Sequence, residues 1–221
     1  MTHTILPASG LASRMRGLPK FLLPCDNDYL TLLERHVQLA LEHSEVVWIP
    51  TRPDLAPLIE SLGLPSEKVV VLSMRTQTMT ETVLRVAGLS SASRFMLAMP
   101  DTYFYGQLPW TSLANSKSSL HLACWKIRDD QAGKLGQVLI EKGEVLESKD
   151  KDPSCAFPHS WGAMSFSKEM LEFADVTTPH LGYFIQPVID GGNKVTAEEM
   201  QGSYFDCGTP SEYLDLLKKI V

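Results

Sequence analysis

The architecture of this chain is set by its first structural unit, THTILPASGLASRMRGLPK, residues 2–20. The first five of these residues predict a short buried strand that ends at Pro7. The loop behind the strand, from Ala8 to Pro19, is rich in small residues and contains two glycines. Because ligands bind at the carboxyl ends of strands in an open parallel sheet, we expect this loop to border a ligand site.

Strands and helices alternate through the rest of the first half of the chain. Apolar runs predict three further strands, at 45–49 before Pro50, at 68–72 and at 95–99. Helical spacing predicts three helices, at 29–42 with Asp28 as N-cap, at 53–62 before Gly63, and at 78–87 before Gly88. Continuous apolar strands separated by helices are typical of a parallel sheet that is covered on both faces. Residues 1 to about 115 therefore predict a doubly wound α/β sheet.

The pattern changes after residue 120, where short strand-like segments are separated by turns. These segments lie at 120–127, 136–140, 145–148 and 161–166, and two helices near 180–189 and 211–219 flank a strand at 203–206. They predict a mixed or antiparallel extension of the first sheet. Since no linker or repeat interrupts the chain, we expect one domain over 1–221.

Composition excludes several classes of protein. The 221 residues contain 20 Lys+Arg against 26 Asp+Glu, a formal charge of -6, which disfavours nucleic-acid binding because that function needs a basic face. No apolar run approaches the roughly 20 residues of a membrane span, and no secretory signal is evident. The four cysteines form no CxxC pair and the six histidines show no ligand spacing, so we expect reduced thiols, no zinc and a cytoplasmic location. A homo-oligomer is compatible with these features.

The first loop has the chemistry of a phosphate-binding loop. Small residues let backbone N–H groups approach a phosphate, and Arg14 and Lys20 are placed to neutralise a polyphosphate. The alternative is a surface loop with solvated cations. The loop contains neither GxxxxGK[ST] nor GxGxxG, so it is neither a Walker A loop nor a dinucleotide-binding loop.

Three stretches together resemble the sugar-phosphate nucleotidylyltransferases. The first loop matches their signature at Gly10, Ser13, Arg14, Met15, Pro19, Lys20 and residues 22–24, with Ala12 in place of the usual second glycine. FMLAMPD, residues 95–101, is similar to the strand of the family that ends in a metal-binding aspartate. GSYFDCGTPSEY, residues 202–213, is similar to the family's aromatic-x-Asp-x-Gly-Thr-Pro segment. The matches extend over nearly the whole chain.

This resemblance implies a fold, a reaction and a set of residues. The fold would be a Rossmann-like, glycosyltransferase-A-like α/β domain, with a mixed, mostly parallel sheet flanked by helices. Residues 1–115 would bind the nucleotide and 116–221 the acceptor. The reaction would join UTP, dTTP or CTP to a phosphorylated small molecule, a sugar-1-phosphate, and release pyrophosphate. Arg14 and Lys20 would be catalytic, and Asp101 and Asp206 would bind Mg²⁺, which prefers hard oxygen ligands.

The resemblance also places the two substrates. The nucleotide would contact the first loop and the segment after the third strand, at Pro7, Ala8, Ser9, Gly10, Leu11, Ala12, Ser13, Gln77 and Thr80. Thr78 or Thr80 could instead be a helix N-cap. The acceptor would contact Trp161, Gly162 and a lysine of VLESKDKDP, residues 145–153, where Lys151 aligns best and Lys149 remains open. A solvated charged loop is the alternative for this stretch.

Three other functions compete with this one. The acceptor could be phosphocholine, held by an aromatic cage through cation–π attraction; the aromatic candidates are Tyr103, Phe104, Tyr105, Trp161 and Tyr183. A noncatalytic nucleotide-sugar binding module would keep the fold and lose the metal-binding acids. A glycosyltransferase would use a DxD motif, but the only candidate, residues 26–28, precedes the first helix and is expected to cap it.

Overall fold

The computed structural model describes residues 1–128 and 131–220. Its first half contains four strands and three helices in alternation. The strands are β1 (Thr2–Ile5), β2 (Val46–Thr51), β3 (Val69–Ser73) and β4 (Arg94–Ala98), and the helices are α1 (Leu32–Leu41), α2 (Ala56–Glu60) and α3 (Met79–Leu89). Short 3-10 turns at Ser13–Met15 and Lys20–Leu22 shape the loop between β1 and α1.

The second half is richer in strands. Its elements are β5 (Thr102–Gly106), α4 (Trp110–Asn115), β6 (Leu120–Lys126), β7 (Gly136–Glu141), β8 (Glu144–Asp150), β9 (His159–Ser167), α5 (Ile185–Asp190), β10 (Val195–Glu199), β11 (Gly202–Asp206) and α6 (Pro210–Ile220). Further 3-10 turns span Lys168–Phe173 and Leu181–Phe184. No helix among the described residues is long and apolar enough to cross a membrane.

The described strands form one large mixed sheet and a two-stranded one. The order in the nine-stranded sheet is β3-β2-β1-β4-β9-β6-β10-β8-β7. The first four strands pair in parallel, β9 runs antiparallel to both β4 and β6, and β10 pairs in parallel with β6. The β5–β11 ribbon is antiparallel and stands apart. The mixed α/β architecture expected from the sequence is confirmed. Strands β1–β4, which alternate with helices along the chain, form a parallel block.

Both faces of the parallel block are covered, as its apolar strands predict. Along β4, Phe95 and Leu97 belong to one hydrophobic cluster, while Met96 and Ala98 belong to the cluster on the opposite face. All four side chains are fully buried. Since successive side chains of a strand point to opposite faces, a strand buried on both sides has no polar alternation.

Several boundaries differ from the prediction for local reasons. Helix α1 starts after Thr31 and not after Asp28, because Thr31 and Glu34 form a capping box: the Thr31 hydroxyl accepts from the Glu34 N–H at 3.1 Å, and the Glu34 carboxylate accepts from the Thr31 N–H at 2.9 Å. Strand β2 continues through Pro50, whose carbonyl accepts from the Ala8 N–H at 2.9 Å. Helix α3 continues past Gly88 to Leu89. The sequence analysis did not predict β5, α4 or β10.

Candidate active site

Two strand ends bring two acids together. Asp101 lies in the turn between β4 and β5, and Asp206 is the last residue of β11. In the β5–β11 ribbon Asp206 stands opposite Thr102, and the Cys207 N–H donates to the Asp101 carbonyl oxygen at 3.0 Å. Both acids line one cavity of about 460 Å³. The ribbon therefore joins two acids that are more than a hundred residues apart in the chain.

A lysine from the first loop reaches one of these acids. The Lys20 ammonium forms an ion pair with the Asp101 carboxylate, and both side chains are largely buried, with 16% and 14% exposure. Lys20 opens the 3-10 turn Lys20–Leu22, which returns the chain towards the sheet after the loop. The cation is thus held at the edge of the sheet where the parallel strands end.

An arginine from the same loop also lines the cavity. Arg14 is in the 3-10 turn Ser13–Met15, which is bracketed by two left-handed residues, Ala12 (φ 48°) and Arg16 (φ 53°). The left-handed region favours glycine, which accounts for the glycine that the related signature has where this chain has Ala12. The Arg14 guanidinium packs against Gly208, where an added Cβ would come within 3.1 Å of Nη2. Arg14 and Lys20 both line the cavity.

The carboxyl groups of Asp101 and Asp206 repel each other when both are charged. Burial, and then the negative charge of Asp101, raise the pKa of Asp206 from 3.8 to about 6, while Lys20 and Arg14 act in the opposite direction. A divalent cation would offset this repulsion. Mg²⁺ typically takes one or two protein carboxylates together with waters and substrate phosphates, so Asp101 and Asp206 fit it without a third protein ligand. Indeed, no cluster of three or more acidic, histidine or cysteine ligands occurs in the described part of the chain.

The structure also separates the two candidate lysines of the acceptor segment. Lys151 follows β8 in the left-handed conformation (φ 53°) and lines the cavity. Its ammonium lies 2.5 Å from Nε2 of His180. Lys149 lies at 3.5 Å from Glu147 and 5.5 Å from the centre of the Phe157 ring, and it is not among the described residues that line the cavity. Lys151 is therefore the lysine that faces the site.

The wall beside Lys151 is built around an indole. Trp161 of β9 lines the cavity and fits between Gly136 and Gly182, where an added Cβ on either glycine would collide with the ring. Asp150 also lines this wall; its Oδ2 is buried against Gly182 and has no hydrogen-bond partner among residues 1–128 and 131–220. Burial raises the pKa of Asp150 to about 6.

Gly162, predicted to touch the acceptor, lies behind this wall. An added Cβ there would come within 2.7 Å of the Tyr204 ring and 2.8 Å of the Trp125 ring. It is not one of the described residues that line the cavity. Its position shows a packing role, since only a residue without a side chain fits between the two rings.

The residues predicted to contact the nucleotide are more scattered. Pro7 and Ala8 are buried, and residues 9–13 form the more exposed part of the loop. The Gly10 carbonyl accepts a hydrogen bond from the Arg52 guanidinium at 3.1 Å. Gln77 is exposed and its N–H donates to Glu81 at 2.6 Å. None of these residues belongs to the described lining of the cavity, although Arg14 and Lys20 of the same loop do.

The threonines near Gln77 have structural contacts. Thr80 is fully buried, with its hydroxyl 3.1 Å from that of Thr178. Thr78 is the N-cap of α3, since its hydroxyl accepts from the Glu81 N–H at 3.0 Å. The capping alternative is thus confirmed for Thr78, and the residue of this turn that reaches the cavity is Met79.

Comparison with known proteins bears on the fold. No family model matches the sequence, and no curated protein matches it. Among solved structures, a protein from Bacillus anthracis assigned as a glucose-1-phosphate thymidylyltransferase superposes with a TM-score of 0.82 at 15% identity, over 99% of this chain and 95% of that one. The inositol-1-phosphate CTP transferase from T. maritima gives 0.79 at 17% identity, over 99% and 96%. The UTP-bound UGPase from Acinetobacter baumannii gives 0.76 at 18% identity, over 99% and 93%. This chain therefore shares the fold of these three solved structures.

Most residues of the motifs behind the competing functions lie outside the described lining of the cavity. Of the five aromatic cage candidates only Trp161 is among the described lining residues. Phe104 is fully buried and stacks on Trp125, Tyr103 lies under Arg35, and Tyr183 stacks on His180. Residues 26–28 form an exposed turn in which Asp26 accepts from two backbone N–H groups. The five candidates therefore do not line the cavity together, although Trp161 is joined there by Tyr204 and Phe205, and residues 26–28 are not part of the described lining.

The fold also brings to the cavity residues that no sequence motif marks as part of the site. Charged or titratable examples are Arg128, Lys134, His180, Glu212 and Asp215. His180 was set aside because it has no ligand spacing, yet it contacts Lys151, which is 29 positions earlier in the chain. No sequence signal marks such a contact, because it depends on how the segment before α5 folds over the strand end of β8.

Proposed function

We propose that this chain is a Mg²⁺-dependent nucleotidyltransferase that joins UTP, dTTP or CTP to a sugar-1-phosphate, forms an NDP-sugar and releases pyrophosphate. The supporting observation is the convergence of Asp101, Asp206, Arg14 and Lys20 on one cavity, in the fold of solved nucleotidyltransferases. A noncatalytic binding module has no need for a pair of partly buried acids that repel one another.

The reaction needs alignment and charge neutralisation more than proton transfer. An oxygen of the acceptor phosphate attacks the α-phosphorus of the nucleotide, the new P–O bond forms, and the bond to the β-phosphate oxygen breaks, so that pyrophosphate leaves. A phosphate monoester is already an anion near neutral pH, so no general base is required. Lys20 would hold the α-phosphate or the incoming phosphate, and Arg14 would stabilise the charge that grows on the leaving pyrophosphate.

The metal would be bound by Asp101 and Asp206. When bound, Mg²⁺ would act as a Lewis acid that neutralises the phosphate oxygens and orients the two reactants. The ion pair between Lys20 and Asp101 would then be replaced by two other contacts. Mg²⁺ would neutralise the Asp101 carboxylate, and phosphate oxygens would neutralise the Lys20 ammonium.

The two ends of the cavity would divide the substrates. Residues 1–115 would bind the nucleotide, with the backbone of residues 7–13 and Gln77 around the phosphates and base, and Thr80 anchoring that segment from below. Residues 116–221 would bind the acceptor, with Lys151 on its phosphate and Trp161 beside its sugar ring. Gly162 would shape this wall from behind.

The test is a matrix of nucleoside triphosphates against phosphorylated acceptors, scored by pyrophosphate release with and without Mg²⁺. We expect at least one pyrimidine nucleotide with one sugar-1-phosphate to give turnover that requires Mg²⁺. The Asp206→Asn variant should be inactive in that pair, while the matched control Asp190→Asn, at an exposed aspartate that bonds Gln186, should retain activity. Binding of nucleotide without turnover for every pair would contradict the proposal and favour the binding module.

A further inference from the structure

The Lys151 ammonium has a neutral hydrogen-bond partner, whereas the Lys20 ammonium is ion-paired with a carboxylate. Burial lowers the pKa of Lys151, and the charges of Asp150 and Asp206 also act on it and raise its pKa in opposition. Lys20 is paired with the Asp101 carboxylate, whereas Lys151 is 2.5 Å from the imidazole Nε2 of His180. Both members of the second contact line the cavity. The contact therefore lies in the site itself.

The chemistry of the two groups fixes the direction of this hydrogen bond. An ammonium can only donate, so Nε2 of His180 must accept, and the ring hydrogen must be on Nδ1. Burial, and then the positive charge of Lys151, lower the pKa of His180 to about 4. The imidazole is therefore neutral near pH 7 and can accept the bond.

His180 is held in place from two directions. Its ring stacks on Tyr183, with centroids 6.5 Å apart and planes at 11°. The chain before it is fastened to the start of α3: the Pro179 carbonyl accepts from the Met79 N–H at 3.1 Å, and the Val176 carbonyl accepts from the Thr78 hydroxyl at 2.8 Å. The imidazole is thus held in place, by the Tyr183 ring and by the backbone contacts of its segment with the start of α3.

The backbone of Lys151 is held in an unfavourable conformation. Its φ of 53° lies in the left-handed region, which an L-residue other than glycine, asparagine or aspartate seldom adopts. Its N–H donates to the Leu135 carbonyl at 3.2 Å.

We propose that His180 is a positioning residue, which aims the Lys151 ammonium at the phosphate of the acceptor without neutralising it. The inference rests on the proposed function of the cavity. An ammonium has three N–H donors; His180 takes one and leaves two for phosphate oxygens. A carboxylate bonded to the same N–H would be an anion that the acceptor phosphate has to displace, as the phosphates would displace Asp101 from Lys20, whereas the neutral His180 can stay in place.

The first test is spectroscopic and needs no turnover. Long-range ¹H–¹⁵N correlation spectra of ¹⁵N-histidine-labelled protein at pH 7 distinguish the two neutral tautomers and the charged ring, and the signal lost in His180→Gln identifies His180. We expect a neutral ring with its hydrogen on Nδ1. A ring with its hydrogen on Nε2, or a charged ring, would overturn the proposal even if the enzyme is active.

The second test measures phosphate binding by calorimetry, with inorganic phosphate and glucose-1-phosphate as probes. Loss of a hydrogen bond to a charged group typically weakens binding by about tenfold or more. We expect His180→Ala to reproduce most of the affinity lost in Lys151→Ala, and His180→Gln, whose Oε1 replaces Nε2 as acceptor, to recover it. Circular dichroism checks the fold, and if His180→Ala is unfolded, His180→Gln alone decides.

Three results would contradict the inference: unchanged affinity in His180→Ala, failure of His180→Gln to bind better than His180→Ala, or no loss in Lys151→Ala. With an active enzyme, the same variants should raise the KM for the acceptor much more than the KM for the nucleotide. If no substrate pair is turned over but the tautomer and the binding series are as expected, the catalytic proposal fails and the positioning role of His180 stands.

Discussion

Removing the charge of Asp206 should make the protein more stable while abolishing turnover. The folded state holds this carboxyl beside Asp101 in a largely buried place, which raises its pKa from 3.8 to about 6. In the unfolded chain the carboxyl titrates near its ordinary value. Between pH 3.8 and about 6 the folded state therefore binds more protons than the unfolded state, so the free energy of unfolding falls as pH rises.

The size of the effect follows from the shift. At about 1.4 kcal/mol per pKa unit, the rise to about 6 corresponds to a loss of at most about 3 kcal/mol, complete above pH 7. Asp206→Asn removes the charge and hence the loss. The free energy of unfolding of the variant minus that of the wild type should therefore increase as pH rises from 4 to 7. Above pH 7 this difference should stay constant.

Urea unfolding followed by circular dichroism at pH 4, 5, 6 and 7 measures this difference. The matched control is Asp54→Asn, at an exposed aspartate whose pKa is lowered by a hydrogen bond from Arg52, so any effect there has the opposite sign. A stability difference between Asp206→Asn and wild type that does not change with pH, or that falls as pH rises, would refute the electrostatic account of the acidic pair.

Three further substitutions test the positions of individual residues. Lys20→Ala should lower the rate of pyrophosphate release by about 10²–10³, because a preorganised charge is lost, and should also destabilise the fold, because the largely buried Asp101 carboxylate loses its cation; a rate near that of wild type would remove Lys20 from the catalytic set. Thr31→Ala should cost about 1 kcal/mol in urea unfolding through loss of the α1 cap, whereas Asp28→Ala should cost almost nothing, and equal costs would contradict the assigned helix start. Gly182→Ala should destabilise the protein by about 1–3 kcal/mol and weaken acceptor binding, since its Cβ would collide with the cavity wall, while Gly10→Ala has open space around it and serves as control; similar melting temperatures for the two would argue against the packed wall.

The sequence was sufficient where local pattern and tertiary structure agree. The apolar run of β4 is buried on both faces, and the alternation of strands and helices up to residue 98 gives the parallel block. It was insufficient for β10, residues 195–199, whose short polar-ended stretch is a strand because it pairs with β6 and β8. Helix α1 shows a smaller error, since an N-cap is decided by which side chain completes the capping box and not by which one comes first.

For the site, the sequence predicted the charged residues that stand in motifs and missed the lining residues that folding alone brings there, such as Arg128, Lys134 and Glu212. Arg14, Lys20, Asp101 and Asp206 stand in motifs, and the structure brings them to one cavity. His180 has no motif, because its contact with a distant lysine arises from the path of the segment before α5. Thr80 fits a base-recognition position by its place in the sequence, yet its side chain is fully buried and its hydroxyl contacts that of Thr178.

The central claim is that the two acids hold one divalent cation together with the triphosphate. Electron paramagnetic resonance of Mn²⁺, titrated into the protein with UTP, dTTP or CTP and no acceptor, measures that ternary complex directly. Wild type should bind Mn²⁺ in the presence of at least one of these nucleotides, Asp101→Asn and Asp206→Asn should each lose most of that binding, and Lys151→Ala should keep it. Equal Mn²⁺ binding by wild type and both aspartate variants would contradict the account.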